Sequence, residues 1–329
     1  MYFCTLFDSY YLLKGLALYK SLESVSDDFQ LYVMAFDRDC YDKLKSYGFK
    51  HMTVDLLDDF ETPELLAVKP TRTKAEYCWT CGPSVIWHFL KKYELPDITY
   101  LDSDLYFLGN PKVVFDEIRG SSVAITEQGL SEDRAKLYGK YCVQYMFFKN
   151  NDEGCKTLAW WRDRCIEWCY QRFEDDKYGD QKYLDKFPEL SPSLCVISNP
   201  SVGIAPWNMD KYSYKDGCIV KDDKRYPFVF YHMHGIVADI QETVLTLKCY
   251  DFKFTKEQIE LFLKPYADLN LEILNKYFNK SLSSCRAKGI GKAKEIEYFF
   301  RSLLRNNRIV QWLYYKLLKV EYKGHGQKF

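Results

Sequence analysis

The chain has 329 residues and no net charge at pH 7, and 47% of its residues are hydrophobic and 17% aromatic. This length allows one large α/β domain with an appendage, or two domains, each with its own core. A net charge of zero argues against electrostatic binding of nucleic acid by the whole chain.

The first half of the chain alternates strand and helix patterns. Short apolar runs predict strands, and apolar residues at helical spacing predict helices. In chain order, the predicted elements are strand 2–7, helix 9–22, strand 31–36, helix 39–47, strand 51–57, helix 74–93 and strand 98–101. This alternation predicts an α/β fold with a mostly parallel central sheet and helices on both faces, in which ligands bind beyond the carboxyl ends of the strands.

The second half of the chain is mixed. The predicted elements are strands 122–126, 141–148 and 226–231 and helices 155–173, 256–277 and 294–319. The pattern becomes helical beyond about residue 250. The sequence therefore predicts an α/β domain at 1–245 and a helical, basic C-terminal extension at 246–329.

Two aspartates follow the apolar strand 98–101 directly. Ser103 separates Asp102 from Asp104, and another apolar segment, 105–107, comes next. Aspartate pairs are common in turns and helix caps, but apolar residues on both sides argue against solvent exposure here. Buried carboxylates need a compensating charge, and a divalent cation such as Mn²⁺ or Mg²⁺ supplies it while also holding phosphate groups. We predict that both aspartates bind a metal ion and, through it, a diphosphate.

A further candidate ligand follows the apolar strand 226–231, in the segment His232-Met233-His234-Gly235. A histidine at the end of a strand is often an ordinary core or turn residue. The chain has only five histidines, however, and two of them lie in this segment. Because a neutral imidazole is a good ligand for Mn²⁺ beside carboxylates, His232 or His234 is predicted as the third ligand, and the sequence leaves open which one.

Two other segments are candidates for substrate contact. Arg72 and Lys74 lie where helix 74–93 begins, and basic side chains with free N–H groups at a helix N-terminus bind phosphate. The alternative is a solvated basic loop. A glycine turn at Tyr178-Gly179 brings Asp180 to a second helix start. This carboxylate is either an ordinary helix cap or a group that acts as a general base or holds a sugar hydroxyl.

The C-terminal segment is basic and rich in aromatic residues. Residues 286–329 carry an excess of eight positive charges. A helix of this kind over 294–320 fits peripheral contact with a membrane surface, and a helix packed on its own domain explains the pattern as well. We expect no signal peptide and no membrane span, and we interpret most of the twelve cysteines, which lie in apolar runs or on helix-like stretches, as reduced core residues. We therefore predict a cytoplasmic protein, with the cytoplasmic face of the membrane as a candidate location.

Together, these residues resemble a nucleotide-sugar glycosyltransferase of the GT-A fold over residues 1–245. Asp102-Ser103-Asp104 is similar to the DxD motif, which in that fold holds Mn²⁺ or Mg²⁺ against the nucleotide diphosphate. Residues 232–235 resemble the HxxG segment that supplies a third metal ligand in family 8, and this match aligns His232. The Lys-Pro-Trp that often follows HxxG in that family is absent, since Ile236-Val237-Ala238 follows here.

The resemblance also implies which residues bind substrate. Residues 5–8 resemble the first-strand segment that contacts the base and ribose, and residues 72–77 resemble the basic helix start of family 8. Asp180-Gln181 looks like the acceptor-side pair of that family. The implied substrate-binding residues are Thr5, Phe7, Asp8, Arg72, Lys74, Asp102, Ser103 and Gln181.

The resemblance implies a metal-dependent transferase that moves a sugar from a nucleoside-diphosphate sugar, with a UDP-sugar favoured, to a hydroxyl of a saccharide or lipid-linked saccharide. Asp180 is then the catalytic base if transfer inverts, or it positions sugar hydroxyls if transfer retains. A nucleotidyltransferase that makes sugar nucleotides usually has a glycine-rich loop after the first strand, whereas no glycine precedes Gly15 here. That enzyme, and a non-catalytic nucleotide- or glycan-binding module, are the alternatives.

Overall fold

The computed structural model describes residues 1–249 and 252–288. Met1–Met233 belong to one compact unit, and the described residues from His234 onward belong to a second unit. None of the helices in the described part of the chain is long and apolar enough to cross a membrane. The predicted membrane-contact helix, 294–320, lies outside the described residues, and the division into a catalytic domain and an extension at residue 245 stays a prediction.

Strands and helices alternate through much of the first unit. The described strands are β1 (Tyr2–Phe7), β2 (Gln30–Ala35), β3 (Met52–Leu56), β4 (Asp97–Leu101), β5 (Leu105–Phe107), β6 (Val123–Glu127), β7 (Tyr141–Lys149), β8 (Cys195–Ile197), β9 (Ser213–Lys215), β10 (Cys218–Lys221), β11 (Lys224–Pro227), β12 (Phe230–His232), β13 (Ile236–Gln241), β14 (Val244–Cys249) and β15 (Ser284–Lys288). The described α-helices are α1 (Leu12–Val25), α2 (Arg38–Tyr47), α3 (Pro63–Val68), α4 (Lys74–Lys92), α5 (Lys112–Phe115), α6 (Glu132–Tyr138), α7 (Asp152–Glu167), α8 (Phe187–Leu190), α9 (Lys256–Gln258) and α10 (Lys264–Tyr277).

A seven-stranded sheet forms the centre of the first unit. Its strand order is β3-β2-β1-β4-β7-β6-β8. The β3-β2-β1-β4 part is parallel throughout, β7 is antiparallel to both β4 and β6, and β8 is parallel to β6. Strands β1, β2 and β4 are almost entirely buried, and helices flank the sheet. The predicted α/β fold with a mostly parallel central sheet is confirmed.

Caps and prolines set the boundaries of individual elements. Helix α4 begins at Lys74, as predicted, because Thr73 and Glu76 form a reciprocal capping box. The predicted strand 226–231 is instead two short strands, β11 and β12. Pro227 ends the first of them, since proline has no N–H with which to continue a ladder.

The second unit contains a three-stranded sheet in the order β13-β14-β15. β13 and β14 are antiparallel, and β15 is parallel to β14. The predicted helix 256–277 corresponds to α9, a π-helical segment at Ile259–Leu263, and α10. The sequence patterns did not predict β13, because most of its residues are exposed and it therefore has no continuous apolar run.

Candidate metal and donor site

The turn after β4 holds the predicted metal motif at the carboxyl end of a central strand. The turn is closed by a hydrogen bond of 3.2 Å from the Leu105 N–H to the Asp102 carbonyl, and the Asp102 N–H donates to the Gln144 carbonyl on β7 at 3.0 Å. Asp104 is 9% exposed. Asp102 and Ser103 are half-buried beside it. The structure therefore places both aspartates in a largely buried turn, as the flanking apolar residues predicted.

A short antiparallel strand pair brings His232 to this turn. β5 follows Asp104 directly and pairs with β12, so that Leu105 lies opposite His232. The buried rings of Phe107 and Phe230 pack against each other across this pair, with centroids 5.5 Å apart. Apolar packing thus holds a histidine against carboxylates that are distant from it in the sequence.

The imidazole of His232 faces both carboxylates. Its Nε2 lies 3.0 Å from Oδ1 of Asp104 and 3.7 Å from Oδ2 of Asp102. Its Nδ1 lies 2.8 Å from Oε1 of Gln144, a fully buried side chain whose amide nitrogen donates to the Thr126 hydroxyl. An amide oxygen can only accept, so Nδ1 carries a hydrogen. Nε2 is left directed at the carboxylates, in the orientation that a metal-binding histidine takes.

The charges at this turn compensate one another. Burial by itself lowers the pKa of His232, but the carboxylates of Asp104 and Asp102 outweigh burial and raise that pKa to about 10. Burial raises the pKa of Asp102 to about 6, with a further contribution from Asp104 and opposition from His232. Lys14 of α1 places its Nζ 3.3 Å from Oδ2 of Asp104. The ring of His232 and the ammonium of Lys14 therefore lie where positive charge stabilises these carboxylates.

The donor set fits a hard divalent cation. Carboxylates and an imidazole are ligands that Mn²⁺ binds well, and carboxylates also suit Mg²⁺. Asp104 and His232 belong to a group of acidic and imidazole side chains that could hold a metal ion. His234 is the first residue of the second unit and stays a predicted ligand.

The start of α1 lies at the same end of the sheet. A Cβ at Gly15 would lie 2.3 Å from Cζ of Phe7, so glycine is what lets this helix lie so close to β1. The Tyr11 N–H donates to Oδ1 of Asp8 at 2.9 Å, which fixes the turn between β1 and α1. Burial raises the pKa of the Tyr11 hydroxyl far above its usual range, and the Asp104 carboxylate adds to the rise. Tyr11 is therefore a neighbour of the metal motif.

Four of the predicted donor contacts lie at or near the end of β1. Lys74 forms an ion pair with Asp8, so the structure brings two predicted substrate-binding residues together. Thr5 is fully buried, and the ring of Phe7 packs beneath α1. Neither Thr5 nor Phe7 reaches the surface here, and their contact with substrate stays a prediction.

Arg72 is anchored beside α7. It is almost fully buried, with its guanidinium 3.8 Å from the centroid of the Tyr170 ring. One nitrogen donates to the Ile166 carbonyl at 3.3 Å, and another to the Thr71 hydroxyl at 3.0 Å. The guanidinium is thus held in one orientation by cation–π and hydrogen-bonding contacts, and its predicted role in binding phosphate stays a prediction.

Asp180 directly precedes the 3₁₀ turn Gln181–Lys186. The indole N–H of Trp161 donates to the Asp180 carbonyl at 2.9 Å and fixes the backbone there. Burial raises the pKa of the Asp180 carboxyl to about 7, and the negative charge of Asp102 adds to the rise. The structure therefore brings the predicted catalytic residue and a predicted metal ligand close enough to influence each other.

Gln181 is held by its neighbours. Its amide oxygen accepts from Nε2 of Gln128 at 2.7 Å, and its amide nitrogen donates to the Tyr138 carbonyl at 2.9 Å. These bonds connect the segment after Asp180 to the end of β6 and to α6. The predicted contact of Gln181 with substrate stays a prediction.

Three residues of this site were not predicted from the sequence: Tyr11, Lys14 and Gln144. Tyr11 and Lys14 lie just after the first strand, and their position there was the only signal available. Gln144 is the one amide within the apolar run of β7. A polar side chain inside such a run needs a buried partner, and that could have indicated a role.

Similarity to two Bacillus subtilis proteins identifies the family of this chain. The chain is 32% identical to the Bacillus subtilis (strain 168) protein YfnF over 296 residues, which are 84% of this chain and 96% of YfnF. The chain belongs to the YfnF family. YfnD of the same organism is 30% identical to it over 280 residues, which are 82% of this chain and 88% of YfnD. Both relatives are described as uncharacterized, and no family model matches the chain.

A solved structure shows the fold of this YfnF-family chain. The galactosyltransferase LgtC, in complex with donor and acceptor sugar analogues, matches it with a TM-score of 0.55 at 12% identity. The match covers 82% of this chain and 95% of the LgtC chain. The chain therefore has a GT-A glycosyltransferase fold, as its sequence motifs predicted.

Proposed function

We propose that the protein is a glycosyltransferase that depends on Mn²⁺ or Mg²⁺ and uses a nucleoside-diphosphate sugar, with a UDP-sugar favoured. The proposed acceptor is a hydroxyl of a saccharide or of a lipid-linked saccharide. The fold supports this class of reaction, because LgtC is a galactosyltransferase and its complex contains donor and acceptor sugar analogues. Since one fold hosts many functions, the residues of the site must carry the proposal.

One observation carries it: two carboxylates and one imidazole converge at the carboxyl end of β4. Asp104 and His232 are 3.0 Å apart, and Asp102 is 3.7 Å from the same nitrogen. A histidine–aspartate pair that only stabilised the fold would need no second carboxylate, and the charge of Asp104 disfavours ionisation of Asp102. A cation site at the carboxyl end of β4 explains why both aspartates are present.

A divalent cation at this site would stabilise the negative charge that develops as the diphosphate leaves the sugar. Asp102, Asp104 and His232 would hold it, with His234 as a further proposed ligand. Gln144 keeps Nε2 of His232 directed toward the carboxylates. The residues that we propose for donor binding are Thr5, Phe7, Asp8, Arg72, Lys74, Asp102 and Ser103.

Asp180 and Gln181 are the proposed acceptor side. A carboxyl group with a pKa of about 7 can hold or release a proton near neutral pH, which is what a general base must do. If transfer inverts the sugar, Asp180 accepts the proton of the attacking hydroxyl. If transfer retains it, Asp180 positions hydroxyl groups instead.

We propose a cytoplasmic location, with the basic segment 294–320 contacting the cytoplasmic membrane face if the acceptor is lipid-linked. The test is flotation of the full chain with vesicles that contain anionic phospholipid, beside a variant that lacks 294–329. Flotation of the full chain alone supports membrane contact. Absence of the full chain from the vesicle fraction contradicts it.

The function is tested by turnover. The full chain is incubated with UDP-sugars and GDP-sugars, with Mn²⁺ or with a chelator, and the released nucleoside diphosphate is measured. We expect release from a UDP-sugar that requires metal and is lost in Asp104→Asn. Asp116→Asn is the matched control, because Asp116 is an exposed aspartate paired with Arg119. Nucleotide binding without turnover of any donor would instead favour a binding module.

A further inference from the structure

Lys14 places an ammonium group beside a proposed metal ligand. It lies in the first turn of α1, and its Nζ is 3.3 Å from Oδ2 of Asp104. The same group lies 4.7 Å from the centroid of the Tyr11 ring. The other carboxylate oxygen of Asp104 faces Nε2 of His232 at 3.0 Å. Asp104 is therefore shared between an imidazole on one side and an ammonium on the other.

This arrangement creates a competition when a metal ion binds. A divalent cation on Asp104 would take over the carboxylate that Lys14 contacts. The two cations would then lie close together in a half-buried setting, where like charges repel more strongly than in water. An anion that contacts both cations removes this repulsion, and a diphosphate is an anion of the right size and charge.

We infer that Lys14 is a ligand of the donor's diphosphate and that it makes metal binding depend on the nucleotide. Without nucleotide, Lys14 competes with the metal for Asp104. With nucleotide bound, the ammonium contacts a phosphate oxygen and leaves Asp104 to the metal. The inference rests on the proposed function, since it takes the donor to be a nucleoside-diphosphate sugar.

The same contact assists the reaction. As the bond between sugar C1 and the phosphate oxygen breaks, its electron pair passes to that oxygen, while the acceptor oxygen bonds to C1 and gives its proton to Asp180 if transfer inverts, or to the departing diphosphate if it retains. An ammonium already beside the diphosphate stabilises the charge that develops there. Lys14 then acts on the leaving group, whereas Asp180 is proposed to act on the acceptor hydroxyl.

Other cations at this end of the sheet have different partners. Lys74 pairs with Asp8, and Arg72 lies against Tyr170. Lys14 differs from both because its carboxylate partner is itself a proposed metal ligand. Only a cation that pairs with a proposed metal ligand should have opposite effects when it is removed. Its removal should strengthen metal binding and weaken nucleotide binding.

The test measures both affinities on the full chain. The variants are Lys14→Met, Lys14→Arg and the control Lys20→Met, since Lys20 lies on the same helix and pairs with Glu23. Binding of Mn²⁺ alone is followed by the electron paramagnetic resonance signal of free Mn²⁺, and binding of UDP at saturating Mn²⁺ by calorimetry. We expect Lys14→Met to bind Mn²⁺ at least threefold more tightly and UDP at least tenfold more weakly. Lys14→Arg should keep UDP affinity closer to wild type.

The outcomes separate this inference from the proposed function. If the wild type binds neither UDP nor GDP with Mn²⁺, the proposed function fails and the inference fails with it. If the wild type binds UDP and Lys14→Met binds it within twofold of wild type, only the inference is wrong. If Lys14→Met weakens both UDP and Mn²⁺ binding, Lys14 merely supports the local structure and the inference is again overturned. Lys20→Met should match wild type in both measurements.

Discussion

Asp104 and Asp180 are buried to the same degree, with 9% of each residue exposed, yet the two carboxyl groups have different charged neighbours. Asp104 lies between the imidazole of His232 and the ammonium of Lys14. Among residues 1–249 and 252–288, no cation forms an ion pair with Asp180. Burial, with the charge of Asp102, raises the pKa of Asp180 to about 7 instead.

The two carboxylates are suited to different chemical tasks. A carboxylate held between cations stays ionised and can bind a metal ion. A carboxyl group that titrates near neutral pH can take up and release a proton. We propose that the site has a cation-binding side, around Asp104, and a proton-handling side, around Asp180, for the donor and acceptor halves of the proposed reaction. Substitutions on either side test this division.

The largest expected effect comes from Asp104→Asn. The amide removes the charge that a divalent cation needs, so kcat/KM for sugar transfer should fall by about 10³-fold or more. The measurement is the initial rate as a function of Mn²⁺ concentration. A variant that keeps the wild-type rate and the wild-type Mn²⁺ dependence would remove Asp104 from the cation-binding side.

Asp180→Asn should separate the two sides most clearly. If Asp180 is the base, kcat should fall by about 10²- to 10⁴-fold, because the amide cannot accept the proton of the attacking hydroxyl. Affinity for Mn²⁺ and for UDP should change much less than kcat, because Asp180 is a proposed ligand of neither and acts on the metal site only through its electrostatic interaction with Asp102. Single-turnover rates and calorimetry measure the two quantities. Loss of metal binding would show that the two sides are one cluster.

Gln144→Ala should weaken metal binding on the cation-binding side, although Gln144 is not itself a proposed metal ligand. His232 loses the acceptor that fixes its ring, and we expect Mn²⁺ affinity to fall by about 10- to 100-fold. Gln144→Glu should restore most of the loss, since a carboxylate also accepts from Nδ1. Titration with Mn²⁺ measures both variants. Equal affinity in wild type and Gln144→Ala would mean that Gln144 only fills space.

A separate effect, on stability and not on turnover or binding, is the pH dependence of unfolding on the proton-handling side. Burial raises the pKa of Asp180 from its ordinary 3.8 to about 7. Stability from this group is fully present below pH 3.8 and is lost as pH rises toward about 7, because ionisation then favours the unfolded chain. Relative to wild type, Asp180→Asn should therefore gain on the order of 4 kcal/mol between pH 4 and pH 8. Urea unfolding at both pH values measures this, and a constant difference between the two proteins contradicts it.

The cation-binding side was partly predictable, because its strongest signal is local. Asp102 and Asp104 follow an apolar strand directly, and the residues on each side of them show that the turn is buried. The pairing of β5 with β12 is not local, so the sequence could only propose His232 as a ligand without showing what brings it there.

The rest of the site depends on packing that no local pattern encodes. Gln144 reaches His232 because β7 lies antiparallel beside β4, whereas strand and helix alternation predicted only the parallel part of the sheet. Lys14 reaches Asp104 because Gly15 lets α1 lie close against β1. The fold could be predicted from motifs and periodicity, but these contacts depend on which strands pair.

The most direct test of the central claim is thermal stabilisation by UDP and GDP, each with and without Mn²⁺, on wild type and on the Asp102→Ala/Asp104→Ala double variant. A ligand that binds only the folded chain raises its melting temperature by mass action. We expect that one nucleotide stabilises the wild type only when Mn²⁺ is present, and that the double variant loses this response. A wild type that no nucleotide stabilises under either condition, or a double variant that responds as the wild type does, would contradict a metal-dependent donor site at the end of β4.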